Sequence, residues 1–412
     1  MNGKGNNGSA RVVIAGGGVA GIEALLALDD LAGDRVAKTL VSPDPDFLYK
    51  PLLVEEPFDI GPAERYELQP LAEEKGASFV QRAVSRVRPD DHVVELDDGS
   101  TLEYDFLVAC AGGRFVSALD GAITFPYPGE AFRADALLDR AATEENRIVF
   151  IVPGGVTWSL PLYEIALMTQ RRALERGLEV KIAIITPESA PLIVFGPKPS
   201  AEVEKILKGR GIQVITGSTV REVGADGIKL TPGHRVIGPA VAVALPVMEG
   251  PSIEGLPADQ NGFIPIDDQA RVKGLEDVYA AGDGTNFPIK QGGLATQEAD
   301  AAVEDIAHRL GAGPAPEPFR PVLRGKLLAG DESINLRAAV AGGGGEGEAS
   351  LDVLWWPPQK ISARYLAPLL YHGQVQEDLE PPRRSLDVEV ALPREWHEEP
   401  MALDPLEPPR VD

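Results

Sequence analysis

Three glycines near the amino terminus have the spacing that binds a pyrophosphate. Gly16, Gly18 and Gly21 form a G-x-G-x-x-G motif between an apolar strand, residues 12–15, and a run of helix formers, residues 22–28. The first glycine permits a sharp turn, the second leaves room for a ligand, and the third lets the helix lie close to the strand. The free N–H groups of the helix start would then face a phosphate. A turn without a phosphate is the alternative, and the readable strand and helix disfavour it.

A carboxylate far along the chain ends another apolar strand. An acid at such a strand end can accept hydrogen bonds from the hydroxyls of a sugar chain, and the helix start that follows presents free N–H groups and a partial positive charge. A simple N-cap turn is the alternative, but it requires neither the surrounding glycines nor so apolar a strand. The candidate binding residues here are Gly282, Asp283, Gly292 and Gly293, with Lys290 between Asp283 and Gly292.

Two further strand ends carry candidate binding residues. In dinucleotide folds an acid at the end of the second strand binds the adenosine ribose. Here the strand of residues 36–41 ends at Ser42, and Asp44 follows two residues later. Ribose recognition is therefore expected to be weaker or to come from Asp44, and an ordinary strand-end turn is an equally weighted alternative. A buried strand, residues 104–111, ends at Gly112, which permits close approach of the backbone to the same dinucleotide.

Length and charge limit the classes of function. The 412 residues are enough for two or three domains, and 39 Lys and Arg against 63 Asp and Glu give a net charge of −24. So acidic a chain repels nucleic acid and anionic lipid, so we expect neither as a bulk partner. No apolar run reaches the roughly 18 to 20 residues that cross a bilayer. Residues 1–10 lack the apolar core of a signal peptide, so the predicted location is the cytoplasm.

Cysteine and histidine usage argues against disulfide and metal chemistry. Cys110 is the one cysteine, so no internal disulfide can form. Because it lies inside an apolar strand, a small buried hydrophobe is a better interpretation than a redox centre. The five histidines show no ligand spacing, so the sequence predicts no metal site. They are His92, His234, His308, His372 and His397.

The elements that must position these residues alternate between strand and helix. A second unit of this kind has predicted strands at 148–152, 181–186 and 212–215 and predicted helices at 162–174 and 201–208. The predicted fold class is therefore α/β, with two Rossmann-like doubly wound domains and a smaller C-terminal segment. The predicted boundaries are 1–115 and 250–315 for the two parts of the first domain, 116–249 for the second domain, and 316–412 for the C-terminal segment.

The phosphate loop of the second unit departs from the glycine pattern. Gly154 and Gly155 are followed by residues 156–161 without a third glycine, and Trp158 would occupy the space that a pyrophosphate needs. We expect the fold to persist without a well-formed NAD(P)H site, and NAD(P)H remains the alternative second cofactor. Glu188 follows the next strand, where a solvated turn residue is favoured over a ribose-binding acid.

Composition changes after residue 310. Residues 311–318 form a Pro/Ala/Gly linker, 342–347 a flexible loop, and the acidic, proline-rich tail from residue 377 is expected to be loosely ordered. Apolar residues between 355 and 370 fall on one helical face. This face could contact a membrane surface or cover an active site, but a helix that packs on the main body is favoured.

Three motifs in a fixed order connect the chain to a known family. The glycine turn at 16–21, the strand end at 107–113 and Ala281-Gly282-Asp283 together resemble the two-dinucleotide-binding-domain flavoproteins of the pyridine nucleotide-disulfide oxidoreductase superfamily. Within it the chain looks most like the branch of sulfide:quinone oxidoreductases, flavocytochrome c sulfide dehydrogenases and type II NADH dehydrogenases. The stretches that carry this closer likeness are residues 47–53, 162–166, 186–188, 195–196 and 288–290. The sulfide enzymes of that branch use a cysteine pair, which this sequence lacks.

The resemblance implies that FAD binds in the first domain. It implies that Gly16, Gly18 and Gly21 hold the pyrophosphate and that Asp283 binds the ribityl chain. It also implies that Val84 contacts adenine through its backbone. Gly112 would line the same cofactor.

The expected activity is that of an FAD-dependent oxidoreductase that passes two electrons from a small donor to a quinone-like acceptor. Lys290 would stabilise the negative charge of reduced flavin, and Glu164 would carry protons. An equally weighted alternative pairs Glu164 with Arg171 or Arg172 on the helix surface. Lys50 either borders the flavin or is a plain surface lysine. The rival functions are an NAD(P)H dehydrogenase with an atypical nicotinamide site and a non-catalytic, flavin-bound interaction subunit; peripheral membrane contact and a homodimer are further expectations.

Overall fold

The structure is a computed structural model that describes residues 9–126, 132–233, 235–330, 333–339 and 347–371. The predictions for the loop at 342–346 and for the tail from residue 377 lie outside these described residues. Strands and helices are numbered below along the chain.

The amino-terminal part forms most of a first unit around a buried parallel sheet. The glycine turn follows β1 and leads directly into α1, as the sequence predicts. The strands are β1 (Ala10–Ala15), β2 (Val36–Val41), β3 (Asp46–Leu48), β4 (Arg65–Glu67), β5 (Ser78–Val80), β6 (Val84–Arg88), β7 (Val93–Leu96), β8 (Thr101–Glu103) and β9 (Phe106–Ala109), and the helices are α1 (Val19–Ala32) and α2 (Leu68–Glu74).

The middle of the chain forms a second unit with its own core. Its strands and helices follow the predicted alternation to within a few residues. The strands are β10 (Arg114–Val116), β11 (Ile123–Thr124), β12 (Arg147–Ile151), β13 (Lys181–Ile185), β14 (Gln213–Ile215), β15 (Thr219–Gly224), β16 (Gly227–Thr231), β17 (Val236–Ile237), β18 (Val241–Ala244) and β19 (Val247–Glu249), and the helices are α3 (Ala134–Ala141), α4 (Leu160–Glu175) and α5 (Pro197–Gly209).

The remaining elements return to the first unit and then cover both units. One strand and one long helix complete the first unit, and a three-stranded antiparallel sheet packs against α4. These elements are β20 (Val278–Ala280), α6 (Gly292–Arg309), β21 (Val322–Leu328), β22 (Ser333–Ala339), β23 (Glu348–Ser350) and α7 (Leu366–Leu370).

Both main sheets are parallel and five-stranded, which confirms the predicted α/β fold class. The first has the order β20-β9-β1-β2-β5, and the second has the order β11-β18-β12-β13-β14. Helices α1 and α6 pack on each other beside the first sheet. Parallel sheets need cover on both faces, and all four residues of β9 are accordingly buried. The sheet order makes β20 and β1 the two neighbours of β9.

The C-terminal segment packs on the main body, as favoured from the sequence, but the predicted helical face is wrong. Only α7, five residues long, is helical between 355 and 370, and the rest is irregular. The prolines at 357 and 358 remove backbone N–H donors that a helix would need. Ile361, Leu366 and Leu370 are buried in the core of the first unit.

Candidate functional site

Four neighbouring strand ends bring most of the predicted binding residues to one edge of the first sheet. Strands β20, β9, β1 and β2 are adjacent and parallel, so their carboxyl ends lie side by side. In open α/β sheets ligands bind outside these carboxyl ends. The residues that follow these strands are, in sheet order, Gly282 and Asp283, then Gly112, then the turn at 16–21, and then Ser42 and Asp44.

The glycine turn is built by close backbone packing around one open position. Gly16 has a φ of 130°, and a Cβ there would lie 2.1 Å from the carbonyl oxygen of Cys110. A Cβ at Gly21 would lie 1.8 Å from the carbonyl oxygen of Gly16. At Gly18, by contrast, a Cβ would meet no heavy atom within 4 Å. The first and third glycines are therefore required by the turn itself, whereas Gly18 leaves free space, which fits a pyrophosphate at the start of α1.

Asp283 follows β20, and its carboxylate has no hydrogen-bond donor among the described residues. It is half-buried and accepts no hydrogen bond from any of the described residues. Burial raises the pKa of Asp283, and the charges of Lys290 and Lys50 partly offset this effect. Gly112 is close by, since a Cβ at Gly284 would lie 2.9 Å from the Gly112 carbonyl oxygen. A carboxylate without a partner beside the open glycine turn fits a polyhydroxy chain such as the ribityl group.

Lys290 lies in the same region. It contacts the ring of Phe263, a residue that the sequence analysis did not identify. Its ammonium group is 3.9 Å from the centroid of the Phe263 ring and donates to the carbonyl oxygen of Thr285. Its backbone N–H donates to Thr157 Oγ1 at 3.4 Å, so the second unit also contributes. Burial lowers the pKa of Lys290 to about 8, while the nearby Glu298 and Asp283 act in the opposite direction.

Lys50 borders this group of charges. Its side chain is exposed, its ammonium group lies 5.9 Å from the centroid of the Phe115 ring, and its charge acts on Asp283. The structure thus places Lys50 beside the predicted cofactor region, although its direct contact with a ligand stays a prediction.

The predicted adenosine end lies at the ends of β2 and β5. Ser42 is buried, and its Oγ would lie 2.9 Å from a Cβ at Gly17, so it packs against the glycine turn. Asp44 is exposed, and Val84 is half-buried at the start of β6. A cleft at this end is lined by Pro43, Gln81, Arg82, Asp97 and Asp98. Contacts of Ser42, Asp44 and Val84 with a ligand remain predictions.

Gly292 and Gly293 start α6 as predicted, but the structure gives their small size another use. A Cβ at Gly292 would lie 2.6 Å from Ile361 Cδ1, and one at Gly293 would lie 3.3 Å from the Ser362 carbonyl oxygen. These glycines therefore let the C-terminal segment approach the start of α6. Ligand binding by their N–H groups stays a prediction.

The alternative that pairs Glu164 with Arg171 or Arg172 is wrong. Those arginines pair with Glu175 and Asp135 on the surface. Glu164 is fully buried in α4, and Lys360, from the C-terminal segment, provides its ion pair. The contacts are Lys360 Nζ to Glu164 Oε2 at 2.8 Å, Leu328 N–H to Glu164 Oε1 at 2.9 Å, and Lys360 Nζ to the Pro51 carbonyl oxygen at 3.0 Å.

Burial and Lys360 shift the pKa of Glu164 in opposite directions. Burial raises the pKa of this carboxyl, and the positive charge and hydrogen bond of Lys360 act against that shift. Lys360 joins three parts of the chain, namely the C-terminal segment, α4 and the short 3₁₀ turn at Lys50–Val54. No local pattern in the sequence could reveal a pair of residues 196 positions apart.

In the second unit, Glu188 follows strand β13. The expectation that it is a solvated turn residue is wrong. Its carboxylate accepts hydrogen bonds from Ser159, Tyr163 and Thr186 at 2.9, 2.7 and 2.8 Å. Burial raises the pKa of Glu188, and these three hydroxyl donors limit the shift. Trp158 packs against Phe195 with ring centroids 5.8 Å apart.

Cys110 is buried, and burial raises the pKa of its thiol, which confirms the structural interpretation. Within the part of the chain that the structure describes, no group of three or more His, Cys, Asp or Glu residues is arranged to hold a metal ion. Among the same residues, no helix combines the length and the apolar character needed to span a bilayer.

Comparison with known proteins agrees with this geometry. A sulfide-quinone reductase of Aquifex aeolicus is 25% identical over 263 residues, which are 60% of this chain and 61% of that protein. An alternative NAD(P)H-ubiquinone oxidoreductase of Arabidopsis thaliana is 23% identical over 73% of this chain and 66% of that protein. The chain thus spans slightly less than two thirds of these two relatives.

Solved structures show the same fold. The sulfide:quinone oxidoreductase from Aquifex aeolicus superposes with a TM-score of 0.74 at 20% identity, covering 83% of this chain and 87% of that one. A ferredoxin reductase from Rhodopseudomonas palustris superposes with a TM-score of 0.60 at 19% identity, covering 81% and 83%. Residues 10–304 match the family described as pyridine nucleotide-disulphide oxidoreductase. Since this match includes both parallel sheets and the glycine turn, the chain belongs to the pyridine nucleotide-disulphide oxidoreductase family.

Proposed function

We propose that this chain is an FAD-dependent oxidoreductase that passes two electrons from a small-molecule donor to a quinone or a similar acceptor. The observation that carries the proposal is an open glycine turn after β1 together with a carboxylate, Asp283, that follows β20 and accepts no hydrogen bond from the described residues; these two strands flank β9 in the sheet. Family membership supports the flavin. The names of two relatives, a sulfide-quinone reductase and an NAD(P)H-ubiquinone oxidoreductase, support the quinone acceptor.

The residues of the first unit would hold and orient the cofactor. The N–H groups at the start of α1 would bind the pyrophosphate beside Gly18, and Asp283 would accept hydrogen bonds from the ribityl hydroxyls. A bound flavin would supply the two-electron chemistry. Lys290 lies near Asp283 with a half-buried ammonium group, and its positive charge would stabilise the negative charge that reduction adds. Loss of one such preorganised group costs about 3 kcal/mol in the activation barrier.

Glu164 and Lys360 would serve the acceptor side of the reaction. A quinone takes up two protons with its two electrons, so a proton carrier is needed near it. Glu164 is a buried carboxyl with a raised pKa, and Lys360 is its only charged hydrogen-bond partner among the described residues. A raised pKa brings a carboxyl closer to the pH at which it can both take up and release a proton, which a carrier must do. We propose that Glu164 carries a proton towards the acceptor and that Lys360 keeps it in place.

NAD(P)H is a second candidate donor, and one observation favours it. The second unit retains the parallel sheet of a dinucleotide fold, with an acid, Glu188, shortly after its second strand. The same acid is occupied by three hydroxyl groups, and Trp158 stands in the phosphate loop. We therefore place a non-nicotinamide donor first and an atypical NAD(P)H site second.

Spectra of the purified protein test the proposal. We expect a flavin absorption band that bleaches anaerobically with a small donor such as sulfide and returns when a soluble quinone is added. Lys290→Met should slow the bleaching and lower the flavin reduction potential. Lys205→Met, which removes a surface lysine paired with Glu202, is the matched control and should behave as the parent protein.

Each alternative predicts a different spectrum. Bleaching with NADH or NADPH but not with other donors would assign the NAD(P)H dehydrogenase function. A flavin that no donor reduces, in a protein that co-purifies with a partner, would assign the interaction-subunit function. A colourless protein that takes up no added FAD would overturn the proposal itself.

A further inference from the structure

Glu298 is a buried carboxyl that the proposed function leaves unused. It lies on α6 and is 2% exposed. A buried carboxyl needs hydrogen bonds or a proton, since an isolated charge is costly away from water. Its surroundings therefore show what the residue can do.

Hydrogen bonds connect Glu298 to the proposed cofactor site. Its Oε2 accepts the backbone N–H of Gly282 at 2.6 Å, directly before Asp283 in the chain. The hydroxyl of Thr285 lies 3.2 and 3.4 Å from its two carboxyl oxygens. The carbonyl of the same threonine accepts the ammonium group of Lys290. Glu298 is thus linked to Asp283 through Gly282, which precedes Asp283 in the chain, and to Lys290 through Thr285.

The charged and titratable groups that act on Glu298 come from two elements. Lys290 and Asp283 lie on the loop between β20 and α6, and the Cys110 thiol follows β9. Burial raises the pKa of Glu298 to about 8, the positive charge of Lys290 opposes that rise, and Asp283 adds to it. The proton affinity of this carboxyl therefore depends on the net charge around Lys290.

We propose that Glu298 is a positioning residue that takes up one proton from solvent when a bound flavin is reduced and releases it on reoxidation. The inference rests on the proposed function, because it requires FAD beside Lys290. Reduction brings two electrons from the donor and adds negative charge near this lysine. Added negative charge favours the neutral form of a neighbouring carboxyl. When the acceptor removes the two electrons, the carboxyl loses its proton again, so electrons and protons balance over one cycle.

The pH at which this occurs follows from the raised pKa. Below it, Glu298 already holds a proton before reduction and no extra uptake follows. Between this pKa and the higher pKa of the reduced protein, the oxidised protein holds the carboxylate, and reduction brings in one additional proton. Reduction should therefore consume about one more proton per two electrons at about pH 8.5 than at about pH 6, beyond the proton taken by the cofactor itself.

The decisive measurement is the midpoint potential of the flavin in the holoprotein between about pH 6 and pH 10. In the parent protein the potential should fall more steeply with pH above about 8, by the equivalent of about one extra proton per two electrons. Glu298→Gln keeps an oxygen that can accept from Gly282 but cannot titrate, so the potential should fall less steeply with pH than in the parent protein; the part of the slope that remains comes from Lys290, whose pKa is lowered to about 8. Glu304→Gln, on the same helix but half-exposed and paired with Arg364, is the control and should keep the slope of the parent protein.

A pH slope in Glu298→Gln equal to that of the parent protein would overturn the inference while leaving the flavin assignment intact. Absence of bound flavin in the parent protein would instead overturn the proposed function. A second measurement needs no variant. Proton uptake during reduction of the parent holoprotein is followed with a pH indicator, and equal uptake at the two pH values would contradict the role of Glu298 even where the variant does not fold.

Discussion

The two parallel sheets of this molecule are built alike and end differently. In the first unit, β1 leads through Gly16, Gly18 and Gly21 into α1, and the position beside Gly18 is open. In the second unit, β12 leads through Gly154 and Gly155 towards α4. Trp158, which packs on Phe195, lies in that connection. The same topology therefore presents an open turn in one unit and an aromatic contact in the other.

The acids near the strand ends show the same contrast. Asp283 follows β20 in the first unit and accepts no hydrogen bond from the described residues. Glu188 follows β13 in the second unit and is held by three hydroxyl groups. A protein does not leave a half-buried carboxylate without a partner unless a ligand or water supplies one. The difference points to the first unit as the one that binds a dinucleotide.

The largest expected effect is the loss of FAD affinity when the glycine turn of the first unit is filled by a side chain. Gly18→Val should weaken FAD binding about a thousandfold, or about 4 kcal/mol, because the side chain enters the space proposed for the pyrophosphate. The backbone φ of −86° at Gly18 suits any residue, so the protein should still fold. Gly154→Val is the matched control, since the nearest atom to its Cβ is Thr219 Cγ2 at 3.9 Å. Equal FAD affinity of the two variants, measured by flavin fluorescence, would contradict the comparison.

The next effect concerns the lysine that joins the two units. Lys360→Met should reduce the free energy of unfolding by about 3 kcal/mol, because it leaves the Glu164 carboxyl buried without its ion-pair partner. Lys360 lowers the pKa that burial raises, so its loss raises the folded-state pKa of Glu164 further, and the penalty should be small below the folded-state pKa of the parent protein and grow as pH rises above it. Urea unfolding at several pH values measures this dependence.

Two further variants give the controls for that experiment. Adding Glu164→Gln to Lys360→Met should recover most of the lost stability, since the uncompensated charge is then gone. Lys229→Met breaks an exposed pair with Glu222 and should cost no more than about 1 kcal/mol. A loss in Lys360→Met as small as that in Lys229→Met would mean that the buried pair does not hold the units together.

A smaller effect, on the free energy of unfolding, distinguishes Glu188 from Asp283. Glu188→Leu should lower the free energy of unfolding by about 2 kcal/mol, because three hydroxyl groups lose their acceptor. Asp283→Leu should leave the stability of the flavin-free protein unchanged or raised, yet weaken FAD binding. Burial raises the folded-state pKa of Asp283, so any gain in stability should be present at neutral pH and vanish as pH falls to the unfolded pKa. Loss of stability in both variants would mean that Asp283 is structural.

Local sequence patterns predicted the elements that define the first unit. The glycine turn between β1 and α1 was predictable because backbone geometry requires glycine at Gly16 and Gly21. The strand β9 was predictable because a continuous apolar run is typical of a buried parallel strand. These features depend on a few adjacent residues.

Two of the wrong predictions depend on residues that are distant in sequence. One of the two interpretations of Glu164 pairs it with arginines about two turns away, whereas its partner, Lys360, follows 196 positions later. Glu188 was expected in solvent, but α4 brings Tyr163 to it. The third wrong prediction has a local cause as well: the apolar spacing between 355 and 370 predicts a helix, but the prolines at 357 and 358 remove N–H donors and the segment packs irregularly on the first unit. Such contacts come from tertiary packing, which periodicity does not contain.

The smallest expected effect tests whether Trp158 alone closes the second unit. Trp158→Leu keeps an apolar side chain but loses the aromatic pair with Phe195, so the free energy of unfolding should fall by about 1 kcal/mol. NADH should still not bleach the flavin, because the third glycine of the phosphate loop is also missing and the hydroxyl groups still occupy Glu188. Trp356→Leu, which loses a similar pair with Tyr371 outside the second unit, is the control for stability. If Trp158→Leu gained reduction by NADH in an anaerobic titration, the second unit would be a dinucleotide site blocked by a single side chain, and the contrast between the two units would come from one residue rather than from the whole loop.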